Sequence, residues 1–132
     1  MVVDYQVDDK YKINTDRYQI CDYKRPTTIV PITGQHVRWE FKVNPDDNLE
    51  TLEDEKNIRK MMKPHLWRLN PEIPLHSGKL LRSSAYTFHG LLAKNFKFNN
   101  CFLLGDAAHQ MPPFLGQGLC LSLIHISEPT RR

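Results

Sequence analysis

The run Asn100–Cys120 constrains the fold of this chain more than any other, because an apolar segment, a Gly-Asp pair, two prolines and a glycine-rich turn follow one another within it. Cys101–Leu104 has the length and composition of a strand covered by its neighbours. Gly105 ends that strand with a residue that tolerates close backbone approach, and Asp106 adds a carboxylate acceptor. Pro112 and Pro113 stiffen the chain, and Gly116-Gln117-Gly118 leaves room against the main chain where a helix begins. The leading N–H groups of a helix have no partner within it, and the helix dipole favours negative charge there. The segment therefore offers a ligand one carboxylate and several backbone donors. An isolated Gly-Asp is ordinarily a capped turn.

Gly105, Asp106, Ala107, Ala108, His109, Pro112, Pro113, Gly116, Gln117 and Gly118 together resemble the second flavin-binding motif of the FAD-dependent aromatic hydroxylases. These are the class A flavoprotein monooxygenases related to p-hydroxybenzoate hydroxylase, and the likeness is strongest to the 3-(3-hydroxyphenyl)propionate hydroxylase branch. The resemblance implies that Asp106 accepts hydrogen bonds from the ribityl chain of FAD and that the N–H groups of Leu119 and Cys120 face the flavin O2 edge. Pro112 and Pro113 wall the flavin ring near the substrate. His109 is read as a structural histidine rather than a proton shuttle. The reaction implied is ortho-hydroxylation of a phenolic ring in the catabolism of aromatic compounds, with NAD(P)H and O2 as co-substrates. Flavin carries that chemistry, so the protein needs no catalytic triad or carboxylate pair, and no catalytic side chain is assigned. Two other readings share the motif: a halogenase- or reductase-like flavoenzyme, and a truncated product without activity.

Both ends of the chain depart from the family pattern. Leu121–Arg131 reads as a translated sequencing adaptor, so residues 121–132 are expected to be a non-native tail in which His125, Glu128 and Arg131 have no function. The Gly-x-Gly-x-x-Gly turn that holds the ADP half of FAD is absent: Gly34, Gly78, Gly90, Gly105, Gly116 and Gly118 contain no trio at that spacing. Met1–Tyr5 has the character of a strand interior. The chain is thus expected to be an internal fragment, inactive by itself.

Composition excludes several classes. Without the expected tail, Lys+Arg falls from 18 to 16, Asp+Glu from 15 to 14 and the net charge from +3 to +2, too little to indicate nucleic acid. No apolar run has the length of a membrane span. Cys21, Cys101 and Cys120 are scattered and form no Cys-x-x-Cys pair, which fits a reducing cytoplasm better than a disulfide framework. The histidines show no metal-ligand spacing. Oligomeric state is not legible.

The fold class expected is an α+β fragment, with a mixed or antiparallel sheet of the substrate-binding region over residues 1–96 and the Gly-Asp motif of a larger α/β FAD-binding fold over residues 97–120. Thr27–Ile32 and His36–Val43 form an antiparallel hairpin around Thr33-Gly34-Gln35. Val37, Trp39, Phe41 and Val43 share its core face, with His36, Arg38, Glu40 and Lys42 opposite. Asn44–Asn48 is a loop, and Leu52–Lys63 has helical spacing, with Leu52, Lys56, Arg59 and Lys60 on one side, Ile58, Met61 and Met62 on the other, and Pro64 as the stop. Pro71–Pro74 is a loop, Lys79–Phe88 a strand, and Lys94–Asn100 a turn or hairpin. Cys21-Asp22, Arg25-Pro26 and Arg38–Phe41 also resemble family positions. From that resemblance Arg38 approaches flavin and substrate, against the ordinary reading of a solvated strand charge. Tyr86 and Phe88 are candidates for lining the pocket, against the ordinary reading of core aromatics.

Overall fold

The computed structural model describes residues 1–113 and 116–127, with side chains through Leu123. The expected roleless residues Glu128 and Arg131, and the side chain of His125, lie outside the described part, as do Phe114 and Leu115. The chain divides into two compact units, Met1–Tyr86 and Thr87–Arg132.

The first unit is built on a five-stranded antiparallel sheet in the order β2-β3-β4-β1-β5. Its strands are β1 (Val2–Gln6), β2 (Tyr18–Ile20), β3 (Thr27–Pro31), β4 (His36–Phe41) and β5 (Lys79–Ser84). The expected hairpin is β3–β4, with Ile29 opposite Trp39. Alternation decides which face is covered: Val37, Trp39 and Phe41 are buried, joined by Val3 and Tyr5 of β1 and Ile29 of β3. Trp39 and Phe41 lie parallel, ring centroids 6.1 Å apart. β1 covers most of the stretch Met1–Tyr5 read as strand and lies between β4 and β5, with a bulge between Asp4 and Tyr5.

The helical stretch expected over 52–63 is interrupted. α1 (Leu49–Leu52) begins on Asn48, whose Oδ1 accepts from Thr51 N at 3.1 Å. α2 (Glu55–Met62) begins anew on Asp54, whose carboxylate accepts from Lys56 N at 3.0 Å and Asn57 N at 3.3 Å. An aspartate prefers such a cap to a helix interior, and that preference breaks the run. Pro64 does not end the coil either. It enters the first turn of a 3-10 helix over Lys63–Arg68, where a missing N–H costs nothing. Leu52, Ile58, Met62, Leu66, Leu69 and Ile73 close over the sheet's apolar face.

Arg59, placed by spacing on the helix side of Leu52, Lys56 and Lys60, is the polar tie of this layer. It donates to the Tyr5 hydroxyl at 2.9 Å and to the carbonyls of Leu75, Ser77 and Gly78 at 2.9, 3.1 and 3.2 Å. Gly78 has φ +76°, and a Cβ there would stand 2.5 Å from Gln6 O and 2.7 Å from the Tyr5 hydroxyl.

Arg25, just before β3, forms a fork with Asp47 at 2.8 Å on both oxygens, and Asp47 also accepts from Asn44 N at 2.7 Å. The guanidinium hydrogen bonds hold the Asp47 carboxyl at a pKa of about 2. A depressed folded-state pKa stabilises the fold above the unfolded value and loses that contribution as pH falls through the folded one. The urea midpoint is expected to drop between about pH 4 and about pH 2, and Arg25→Met should flatten that part of the profile. An unchanged slope in Arg25→Met would contradict the assignment.

The second unit has two small antiparallel ladders. β6 (Leu91–Leu92) pairs with β9 (His109–Gln110), and β7 (Lys97–Phe98) pairs with β8 (Cys101–Phe102). The polar hairpin expected at 94–100 turns through Asn99 at φ 51°. α3 runs Gly118–Ser127. No helix among the described residues is long and apolar enough to cross a membrane.

Candidate functional site

The Gly-Asp segment differs from expectation in its cover. The strand is only Cys101–Phe102, and Cys101, Phe102, Leu103 and Leu104 are all exposed. Its single ladder partner is the short β7, so neither face is covered within the described residues of this unit. Leu103 N still donates to Phe96 O at 2.9 Å, which fixes the approach to Gly105.

Gly105 stands at φ +57°, the left-handed region that glycine adopts without strain, and opens a 3-10 turn over Gly105–Ala107. That turn closes by Ala108 N donating to Gly105 O at 2.9 Å, and Ala108 is buried. Asp106 projects from the turn, exposed, and accepts no hydrogen bond from the described residues. It caps no described backbone N–H, contrary to the ordinary role of an aspartate at a turn. Ala93 N donates to Ala108 O at 2.8 Å and ties the turn to β6. His109 is half-buried in β9, opposite Leu92.

A second turn follows, in which Gly116 N donates to Pro113 O at 3.0 Å and Gly116 takes φ +62°. α3 then starts at Gly118, and the first bond back along it is Leu121 N to Gln117 O at 3.0 Å. The N–H groups of Gly118, Leu119 and Cys120 precede that bond at the start of the helix and have no acceptor among the described residues. Among the described residues a Cβ at Gly116 or Gly118 would meet nothing within 4 Å, so no described side chain requires either glycine. At Gly105 an added Cβ would reach Ser122 Oγ at 3.5 Å, which brings the Gly-Asp turn against the first turns of α3. Leu119 is 69% exposed, and the Cys120 thiol is free. A cleft of about 410 Å³ adjoins these elements, lined by Leu91, Phe96, His109, Met111, Pro112 and Leu121 among others. Pro112 belongs to its wall; Pro113 is exposed.

Arg38 belongs to the first unit. It lies on the sheet face opposite Trp39, and its Nε and Nη2 donate to Asp4 at 2.8 and 3.1 Å. Asp4, directly across in the β1–β4 register, is only 7% exposed, and Arg38 holds its carboxyl below the usual carboxylate range. His36 Nε2 approaches the same carboxylate at 3.4 Å. Sequence reading missed Asp4 as the partner of Arg38, although a lone acid within Val2–Tyr5 signals that a cation must come to it. Strand β5 stops at Ser84, and Tyr86 and Phe88 are 47% and 40% exposed, so neither is core. Burial, and beyond it the nearby Glu40, push the Tyr86 hydroxyl up, with Arg38 opposing. Among the described residues no group of His, Cys, Asp or Glu could hold a metal ion.

A family model described as "FAD binding domain" matches residues 3–128. The chain is also 32% identical over 99 residues to a "3-(3-hydroxy-phenyl)propionate/3-hydroxycinnamic acid hydroxylase" of Burkholderia cenocepacia (strain HI2424). It is 36% identical over 101 residues to the protein of the same name from Escherichia coli (strain K12 / DH10B). The aligned parts are 75% and 76% of this chain but 17% of each relative, so the chain spans about a sixth of their length. The residues present fit FAD. An unengaged carboxylate suits sugar-type hydroxyls, an open helix end suits an electron-rich ring edge, and glycines with free space above them let a flat group approach. With a family model covering nearly all of its length and a donor and acceptor set of the matching kind, the chain belongs to the FAD-binding domain family.

Proposed function

We propose that this chain supplies the flavin-side half of the FAD site, and part of the substrate sheet, of an FAD-dependent monooxygenase that hydroxylates a phenolic substrate with NAD(P)H and O2. The observation that carries the reading is the unengaged Asp106 carboxylate on the Gly105 turn, set against the first turns of α3. Bound FAD supplies the redox and oxygen chemistry. In this reading Asp106 accepts from ribityl hydroxyls, and the N–H groups of Leu119 and Cys120 donate to the pyrimidine edge, where charge gathers on reduction. Gly105, Gly116 and Gly118 keep the backbone open, and Pro112 and Pro113 limit water at the ring. Arg38, whose Nε and Nη2 are held by Asp4, keeps Nη1 unbonded among the described residues and is the residue of the first unit that this reading assigns to flavin and substrate.

The relatives' names support an aromatic substrate that carries a carboxylate. Residues 1–120, placed in the matching stretch of the E. coli relative, should retain FAD and oxidise NAD(P)H faster when a phenolic acid is added. Arg38→Ala in that chimera should lower phenol-stimulated turnover at least about tenfold, the scale of a lost charged hydrogen bond. Retained FAD with no response to any phenolic acid would leave the cofactor reading standing and sink the hydroxylation reading in favour of halogenase- or reductase-like chemistry.

A further inference from the structure

A second cleft lies wholly within the first unit and is independent of the FAD reading. It holds about 490 Å³ between Lys12, Ile13 and Asn14 on one side and the segment Trp67–Glu72 on the other. Its unusual member is Arg68, at the end of the 3-10 helix. Arg25, Arg38 and Arg59, the other half-buried arginines singled out above, each hold a carboxylate: Asp47, Asp4 and Glu55. Arg68 is half-buried yet has none. Its guanidinium lies 4.3 Å from the Trp67 ring centroid and 6.0 Å from that of Tyr18, and among the described residues no oxygen accepts from it.

The two rings are fixed. Trp67 Nε1 donates to Pro64 O at 3.1 Å, and the Tyr18 hydroxyl donates to Arg68 O at 3.3 Å and accepts from Asn14 Nδ2 at 2.8 Å. The amide walls are already used within the chain: Asn70 Nδ2 donates to Lys12 O at 2.9 Å and its Oδ1 accepts from Glu72 N at 2.8 Å. What remains unused among the described residues is the Arg68 guanidinium over the Trp67 ring, an indole that is 60% exposed, and the Lys12 ammonium. A pre-oriented guanidinium with its N–H edge free is suited to bidentate capture of an oxyanion, and a second cation favours a doubly charged one. The exposed side of a fixed indole is a platform for a flat ring. Glu72, on the same wall, opposes any anion there, so the phosphate belongs at the Arg68 and Lys12 side of the cleft.

We propose that this cleft binds a nucleoside monophosphate-type ligand, its base stacked on Trp67 and its phosphate held by Arg68 and Lys12. Trp67 provides the test, since the chain's other tryptophan, Trp39, is fully buried. Adenosine monophosphate titrated into the 132-residue chain should quench Trp67 emission saturably, with inorganic phosphate competing and adenosine at least about tenfold weaker. Arg68→Ala should weaken adenosine monophosphate at least about tenfold at an unchanged far-UV spectrum. Arg68→Lys keeps the charge but loses the fork, and it serves if the alanine variant does not fold; it should weaken binding severalfold. Trp67→Phe should abolish the optical signal while calorimetry still detects weaker binding. No saturation at millimolar concentration, equal affinity in Arg68→Lys, or benzoate binding as tightly as the nucleotide would overturn the proposal.

Discussion

Trp39→Ala is expected to remove the cooperative unfolding transition of the first unit under conditions where the parent chain unfolds in one step. Trp39 is fully buried at the centre of β4, flanked by β3 and β1 and stacked on Phe41. Truncating a buried aromatic to alanine costs about 3–5 kcal/mol, because both its transfer energy and the cavity left behind count against the fold. Domains of this size are stable by about 5–15 kcal/mol, so the loss takes most of the margin. Trp39→Phe separates volume from chemistry. The indole Nε1 is buried without a hydrogen-bond partner in the described structure, so phenylalanine removes an unsatisfied donor along with some volume. That variant should lose less than about 1.5 kcal/mol. Urea unfolding followed by far-UV circular dichroism measures both. A Trp39→Ala midpoint close to the parent's would show that stability does not reside in this sheet–helix core.

The second large effect is expected at Asp106. Its carboxylate has no hydrogen bond to the described residues, so replacing it should leave the fold of the second unit intact. If it accepts from ligand hydroxyls, its loss removes charged hydrogen bonds worth about 1.5–3 kcal/mol each, or roughly ten- to more than a hundredfold in affinity. Asp106→Asn, which keeps the shape and one acceptor, should retain an intermediate affinity. A merely structural aspartate would give the reverse signature, with altered unfolding and little change in cofactor affinity.

Local pattern made part of this legible. The β3–β4 hairpin follows from strict alternation around Thr33-Gly34-Gln35, and the motif residues stand in chain order, so their turn and helix start could be read directly. What escaped depended on partners far along the chain. Asp4 meets Arg38 only through the β1–β4 register, and Arg59 reaches Tyr5 and the 75–78 carbonyls only once α2 is docked on the sheet. The break at Asp54 was locally available, since an aspartate followed by Glu55 is a cap signal, but the helical spacing read over Leu52–Lys63 outweighed it. The exposure of Cys101–Leu104 was not legible, because composition reports what a strand can bury and not which neighbours it has.

The most direct measurement is the FAD content of the purified chimera that carries residues 1–120, read from visible flavin absorbance per protein, beside the same chimera with Asp106→Ala. The prediction is near-stoichiometric FAD in the first and a loss of at least about tenfold in affinity in the second, with matching far-UV spectra. Equal FAD retention by both would contradict the assignment of the Gly105–Cys120 segment as the flavin contact.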